Sequence, residues 1–113
     1  MTPEIKNAVI ASVSLTKEDH GMLVANLTLD YGGSGQGFGN RCLYNPNFPT
    51  DDWAGFYLWR VMETVGVDSW EKLQGRPVRV LAHHGLVSAI GHYIEDKWFN
   101  PEEEFDTRHG ADD

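Results

Sequence analysis

Two stretches near the start of the chain alternate apolar and polar residues with a period of two, which commits them to β-structure. In residues 5–15, Ile5, Val9, Ala11, Val13 and Leu15 share one face, interrupted by Asn7, while Ser12 and Ser14 take the other. In residues 22–31, Leu23, Ala25, Leu27, Leu29 and Tyr31 oppose Asn26, Thr28 and Asp30. Lys17-Glu18-Asp19-His20-Gly21 between them is polar and ends in glycine, as a hairpin connection does. The first third of the fold is therefore expected to be an antiparallel hairpin.

Residues 32–39 follow, with five glycines in eight positions. Without Cβ atoms the backbone can approach a ligand closely, which is how glycine loops cradle phosphates. No Gly-Lys-Ser/Thr follows, so this is not a Walker loop, and no glycine trio has dinucleotide-fingerprint spacing. The structural alternative is a β-bulge or a sharply twisted strand. Strand character resumes at 40–44. Thr50 or Asp51 then caps a helix over 52–65 with Trp53, Phe56, Trp59, Met62 and Val65 at helical spacing, ended by Gly66. A short turn at 69–73 precedes a second hairpin, 76–82 and 86–94, about His83-His84-Gly85. The expected architecture is α+β: an antiparallel sheet of about five strands, β-β-β-α-β-β, packed on one main helix. Residues 1–106 form a single domain and 107–113 a flexible acidic tail.

The chain carries 17 acidic residues against 9 Lys+Arg, a formal charge of −8. Residues 95–113 hold eight of the acids against Lys97 and Arg108, so the rest of the chain is close to neutral. Such a balance argues against long nucleic acids and membrane surfaces, both polyanionic. The opening Met-Thr-Pro-Glu-Ile-Lys is not a basic stretch leading into an apolar core, so no signal peptide is expected, and the expected compartment is cytosolic. One cysteine, Cys42, leaves no internal disulfide and makes a thiolate zinc site improbable. Neither a metal nor another cofactor is expected. Four Trp in 113 residues exceed what one small core needs, and a homo-oligomer would bury the surplus.

No catalytic signature stands out. His83 and His84 are adjacent and would face opposite ways on a strand; His20 lies in a polar turn, and His92 on the face of Ile90 and Ile94 reads as a core residue. The arginines are the better candidates, because guanidinium forks match phosphate oxygens. Candidate ligand residues are Gly33, Gly35, Gln36, Gly37 and Phe38 of the glycine segment, with Arg41, Arg60 and Arg108 for phosphates. Phe38 and Trp98 offer stacking faces, and Gln36 and Asn100 offer hydrogen bonds to a base edge.

Lys6-Asn7-Ala8, Glu18-Asp19-His20-Gly21, the run from Leu29 through the glycines to Gly39, and Ile90-Gly91-His92-Tyr93-Ile94-Glu95-Asp96-Lys97-Trp98-Phe99 together resemble a family of small phage and prophage proteins. Proteins of this size and style are similar to the Thoeris anti-defence sponges, which bind cyclic ADP-ribose derivatives in oligomers. The resemblance implies an anti-defence protein of the host bacterial cytosol. It would sequester a small cyclic nucleotide signal without turning it over. Two alternatives stand beside it: an inhibitor of another protein whose acidic C-terminal segment mimics nucleic acid, and a phosphodiesterase-like hydrolase using His83, His84 or His20.

Overall fold

Strands β1 (Glu4–Lys17) and β2 (Leu23–Tyr31) form the expected antiparallel hairpin, with Gly21 at φ +86° in its turn. The structure is a computed structural model. It describes residues 4–18, 21–31, 34–47, 53–83 and 86–108, leaving out the side chains of Ser34, Asn40, Arg41, Cys42 and Arg108. The elements that follow are β3 (Ser34–Tyr44), helix α1 (Trp53–Val65), a 3-10 turn (Trp70–Leu73), β4 (Pro77–His83), β5 (Leu86–Gly91), β6 (Trp98–Phe99) and helix α2 (Pro101–Arg108). The fold is α+β, with six antiparallel strands in the order β3-β2-β1-β4-β5-β6, one more than expected.

Interruptions of the register bend this sheet. Ile10 pairs with Leu29 and Ser12 with Thr28, so Ala11 is an extra residue in β1. A bulge of this kind switches which side of the strand faces inward. Before it Ala8 and Ile10 are buried and Ile5 and Val9 exposed; after it Val13 turns toward the core. The single face expected for Ile5, Val9, Ala11, Val13 and Leu15 is thus two half-faces, because strict alternation cannot anticipate an inserted residue. Asn40 and Leu43 are skipped in the same way in β3, and Ser88 in β5. Each bulge adds bend and twist, and the sheet curls until β3 and β5 come within 8 Å of each other between Cα atoms, although three strands separate them.

Helix α1 lies against β3, β5 and β6, in the hollow of the curl. Its buried residues are Trp53, Tyr57, Val61, Thr64 and Val65. The expected stripe through Trp59 and Met62 advanced by threes, and three residues cover only about 300° of a helical turn. That stripe drifts off the core face, and Trp59 emerges 56% exposed. Gly66, at φ +94°, closes the helix as expected, its N–H donating to the Met62 carbonyl. The capping positions Thr50 and Asp51 lie outside the described residues.

Strand β5 ends at Gly91 rather than at residue 94, and a tight loop leads into β6. His92 consequently sits in that loop and not on a strand face. Asn100 then caps α2, its Oδ1 accepting the Glu103 N–H at 3.1 Å, with Pro101 at the first helical position. The helix runs through Thr107 and Arg108; residues 109–113 of the expected tail lie outside the described residues. No helix among the described residues is long and apolar enough to cross a membrane.

The same substitution has opposite consequences at two glycines. A Cβ at Gly91 would lie 2.7 Å from the Trp98 ring, whereas one at Gly55, on the exposed side of α1, meets nothing within 4 Å. We expect Gly91→Ala to displace Trp98 and destabilise by about 1–3 kcal/mol. Gly55→Ala is expected to stabilise by about 0.5–1 kcal/mol. Chemical denaturation followed by tryptophan fluorescence reads both.

Candidate functional site

The curl leaves an open seam. Along it Gly37, Phe38 and Gly39 of β3 face Leu86, Val87 and Ser88 of β5, and Pro101 and Glu102 of α2 close one end. The cleft has a volume of about 330 Å³. Neither strand is paired to the other here, so both present backbone N–H and C=O groups of the kind an edge strand exposes. Phe38 pairs with Leu27 and points inward, so its ring belongs to the core and only its backbone side bounds the cleft. Gly39 is required by the packing: its φ is +101°, and a Cβ would lie 2.6 Å from the Tyr57 hydroxyl and 2.7 Å from the Ala25 carbonyl. This glycine and the extra Asn40 form the bulge that swings β3 toward α1. The bulge and the ligand loop, read as alternatives from sequence, are one feature of the fold.

The expected ligand residues disperse. Gly37 and Phe38 line the cleft; Gly35 pairs with Asp30 at an exposed position, and Gln36 pairs with Leu29 on the inward, half-buried side. Gly33 lies outside the described residues. Arg41 pairs through its backbone with Ala25, and Arg108 ends α2; the side chains of both lie outside the described ones. Trp98 is packed on the other side of the sheet, over Gly91, with the Arg79 guanidinium 5.0 Å from its ring centre. Asn100 is occupied as the cap of α2.

Arg60 has all five N–H donors engaged within the chain. Nε and Nη2 hold Glu104 bidentately at 2.9 Å each, and Nη2 also reaches the Trp98 carbonyl at 2.7 Å. Nη1 donates to Glu63 at 2.7 Å and to Thr64 at 3.1 Å. Its plane lies 5.0 Å from the Phe99 ring centre. A guanidinium so occupied has no donor left for phosphate. The hydrogen bond from Glu104 is the main cause that raises the Arg60 pKa above its ordinary value. A raised cationic pKa contributes stability below the unfolded-state value and loses it only above the folded-state one. Both lie far on the alkaline side, so Arg60 stays charged through neutral pH.

Val87, Ser88, Pro101 and Glu102 were not anticipated in the site. For Asn100-Pro101-Glu102-Glu103-Glu104 the signal existed: a capping residue, proline and first-turn acids spell a helix start. For Val87 and Ser88 no local signal exists, because the curl alone brings β5 to β3.

Glu102 is the one ionisable side chain lining the cleft among the described residues. His92 is engaged elsewhere: its Nδ1 accepts the N–H groups of Ile94 and Glu95 at 3.0 and 2.9 Å. His20, His84 and His109 lie outside the described residues, and His83 is half-buried at the end of β4. No group of three His, Cys, Asp or Glu among the described residues could hold a metal ion. Comparison with protein-family models, with curated proteins and with solved structures finds no match.

The Arg60–Glu104 fork gives a direct test of what holds α2. Arg60→Lys keeps the charge but loses the bidentate geometry, and we expect about 1–3 kcal/mol of destabilisation, with Glu104→Gln similar. The double variant should cost less than the sum. Strict additivity in urea denaturation would show that the two side chains do not act together.

Proposed function

We propose that this protein is a binding module that captures a small nucleotide in the β3–β5 cleft and holds it without chemical conversion. The observation that carries this reading is the cleft itself, formed by two glycines of the glycine-rich strand against the unpaired start of β5. Two unpaired strand edges offer alternating donors and acceptors, the pattern that a nucleobase edge presents in return. Val87 and Pro101 supply apolar walls, and Glu102 accepts N–H or ribose O–H groups. A carboxylate at the rim repels phosphate, so the base or ribose enters first and the phosphates stay toward solvent. Arg41, two residues along β3 from Gly39, is the candidate cation for them. The small cyclic nucleotide signal implied by the resemblance to anti-defence sponges is the ligand class to examine first.

Calorimetry with cyclic dinucleotides, cyclic trinucleotides and cyclic ADP-ribose isomers tests this. We expect at least one to bind more tightly than about 1 μM, and Ser88→Arg, which fills the cleft from an exposed position, to weaken it at least about tenfold. Mass spectrometry should return the ligand intact. No binding across the panel, or binding indifferent to Ser88→Arg, overturns the reading.

The acidic-mimic alternative keeps one supporting observation: Glu103 and Asp106 are exposed on α2. Neutralising that pair separates the two readings, since nucleotide capture should survive it. Glu104 is unsuitable for that purpose because its loss removes the Arg60 clamp.

A further inference from the structure

The outer face of the sheet at β1 and β4 carries apolar side chains that no other element covers. Ile5 and Val9 point outward from β1 while Ala8 and Ile10 point to the core, and Ile5 is 60% exposed. Across the ladders Ile5 meets Leu81 and Val9 meets Pro77. A central strand that is apolar on both faces is the pattern of strands buried on both sides. Here one side is bare. The neighbouring outer face of β2, with Asn26, Thr28 and Asp30, is polar and bounds the patch.

Beside the patch stands the loop between β5 and β6, and it is held unusually firmly. His92 Nδ1 accepts two backbone N–H groups. Arg79 donates from Nε to the His92 carbonyl at 2.8 Å and from Nη2 to the Glu95 carbonyl at 2.7 Å. The His92 N–H reaches the Lys97 carbonyl at 2.9 Å, and the Lys97 N–H the Glu95 carbonyl at 2.9 Å. At its tip Ile94 is 81% exposed. A loop fixed by six hydrogen bonds presents that side chain with little ordering left to lose on binding. Its neighbour Tyr93 lines, with Val9, Tyr31 and Pro77, a groove of about 390 Å³ whose rim includes Asp30.

We propose that this face is the interface of a two-fold symmetric dimer, in which Ile94 of one copy seats in the Val9–Tyr31–Pro77–Tyr93 groove of a second copy. A two-fold contact requires one chain to carry both the projection and its receptor on the same face, and this chain carries them side by side. One operation then fills both grooves and covers both bare strands. The charges agree: Lys97 stands on the projecting loop and Asp30 on the receiving rim, giving two opposite-sign pairs per dimer. The face shares no residue with the β3–β5 cleft, so the inference stands independently of the nucleotide reading. Four strands about 4.8 Å apart and some seven residues long present roughly 400 Å² per copy, at the small end of specific interfaces, so the dimer is concentration-dependent rather than obligate.

Sedimentation velocity between about 5 and 500 μM tests it, with a dissociation constant in the tens of micromolar expected. Ile94→Asp should leave a monomer throughout with an unchanged melting temperature, since Ile94 contributes almost nothing to the core. Lys97→Asp and Asp30→Lys should each weaken association by roughly two- to fivefold, and the double exchange should restore it. Trp59→Ser, on the outer side of α1, should have no effect. A monomer at every concentration, a dimer that survives Ile94→Asp, a double exchange that does not rescue, or a dimer lost on Trp59→Ser overturns the proposal.

Discussion

The Arg60 guanidinium is the fixed point on which the C-terminal half of the fold depends. It is carried by α1, and its five donors reach Glu63 and Thr64 on the same helix, the Trp98 carbonyl of β6, and both oxygens of Glu104 on α2. A two-residue strand such as β6 has too few ladder bonds to stay in place alone, and an eight-residue helix is marginal in isolation. Both are held because one planar cation satisfies acceptors on each. The aromatic packing agrees in direction: Phe99 sits edge-on to Tyr57 at 5.3 Å and Phe105 edge-on to Trp53 at 4.9 Å. Burying Phe99 fully stabilises by about 1.5–3 kcal/mol, comparable to the polar clamp above it. Through α2 the same clamp sets the end wall of the cleft, so Arg60 shapes the site it was expected to enter.

The second constraint is the curl. Residues inserted at Ala11, Asn40, Leu43 and Ser88 bend a six-stranded sheet that would otherwise remain open. Gly39 permits the sharpest approach, where the Tyr57 hydroxyl occupies the space a side chain would need. Seam, cleft and helix placement all follow from these interruptions. The glycines are thus first a packing device that lets β3 lie close to α1, and the cleft is what that closeness leaves at the edge.

What was legible in the sequence follows from the range over which each signal acts. Period-two alternation found β1, β2 and β4, because half-buried strands must alternate whatever surrounds them. The hairpin glycine at 21 and the helix-ending Gly66 were legible because positive φ selects glycine locally. Bulges were not legible, since an extra residue looks like one more member of the alternation; the two faces of β1 were merged for that reason. The helix face was misplaced because steps of three and steps of four both look periodic over thirteen residues, and only the positions of the surrounding strands choose between them. Arg60 illustrates the same limit for the site. A lone arginine on a helix reads equally as anion donor or structural clamp, and Glu104, forty-four residues away, decides.

The acidic excess near the C-terminus acquires a physical role from this arrangement. Glu102, Glu103 and Glu104 occupy the first turn of α2, where the helix dipole favours negative charge. Glu104 is neutralised by Arg60, and Glu95 lies 3.5 Å from Lys97. Much of the apparent repulsion in the segment is therefore used to start a helix and to dock it. What remains outward is a short acidic strip, Glu102, Glu103 and Asp106, with Glu102 at the mouth of the cleft. A phosphate approaching that mouth directly is repelled at a few ångströms, and a chain of phosphates would be repelled along the whole helix. A single nucleotide that turns its donor-bearing edge inward avoids the repulsion, which is why the local charge selects the orientation of a ligand as well as its size.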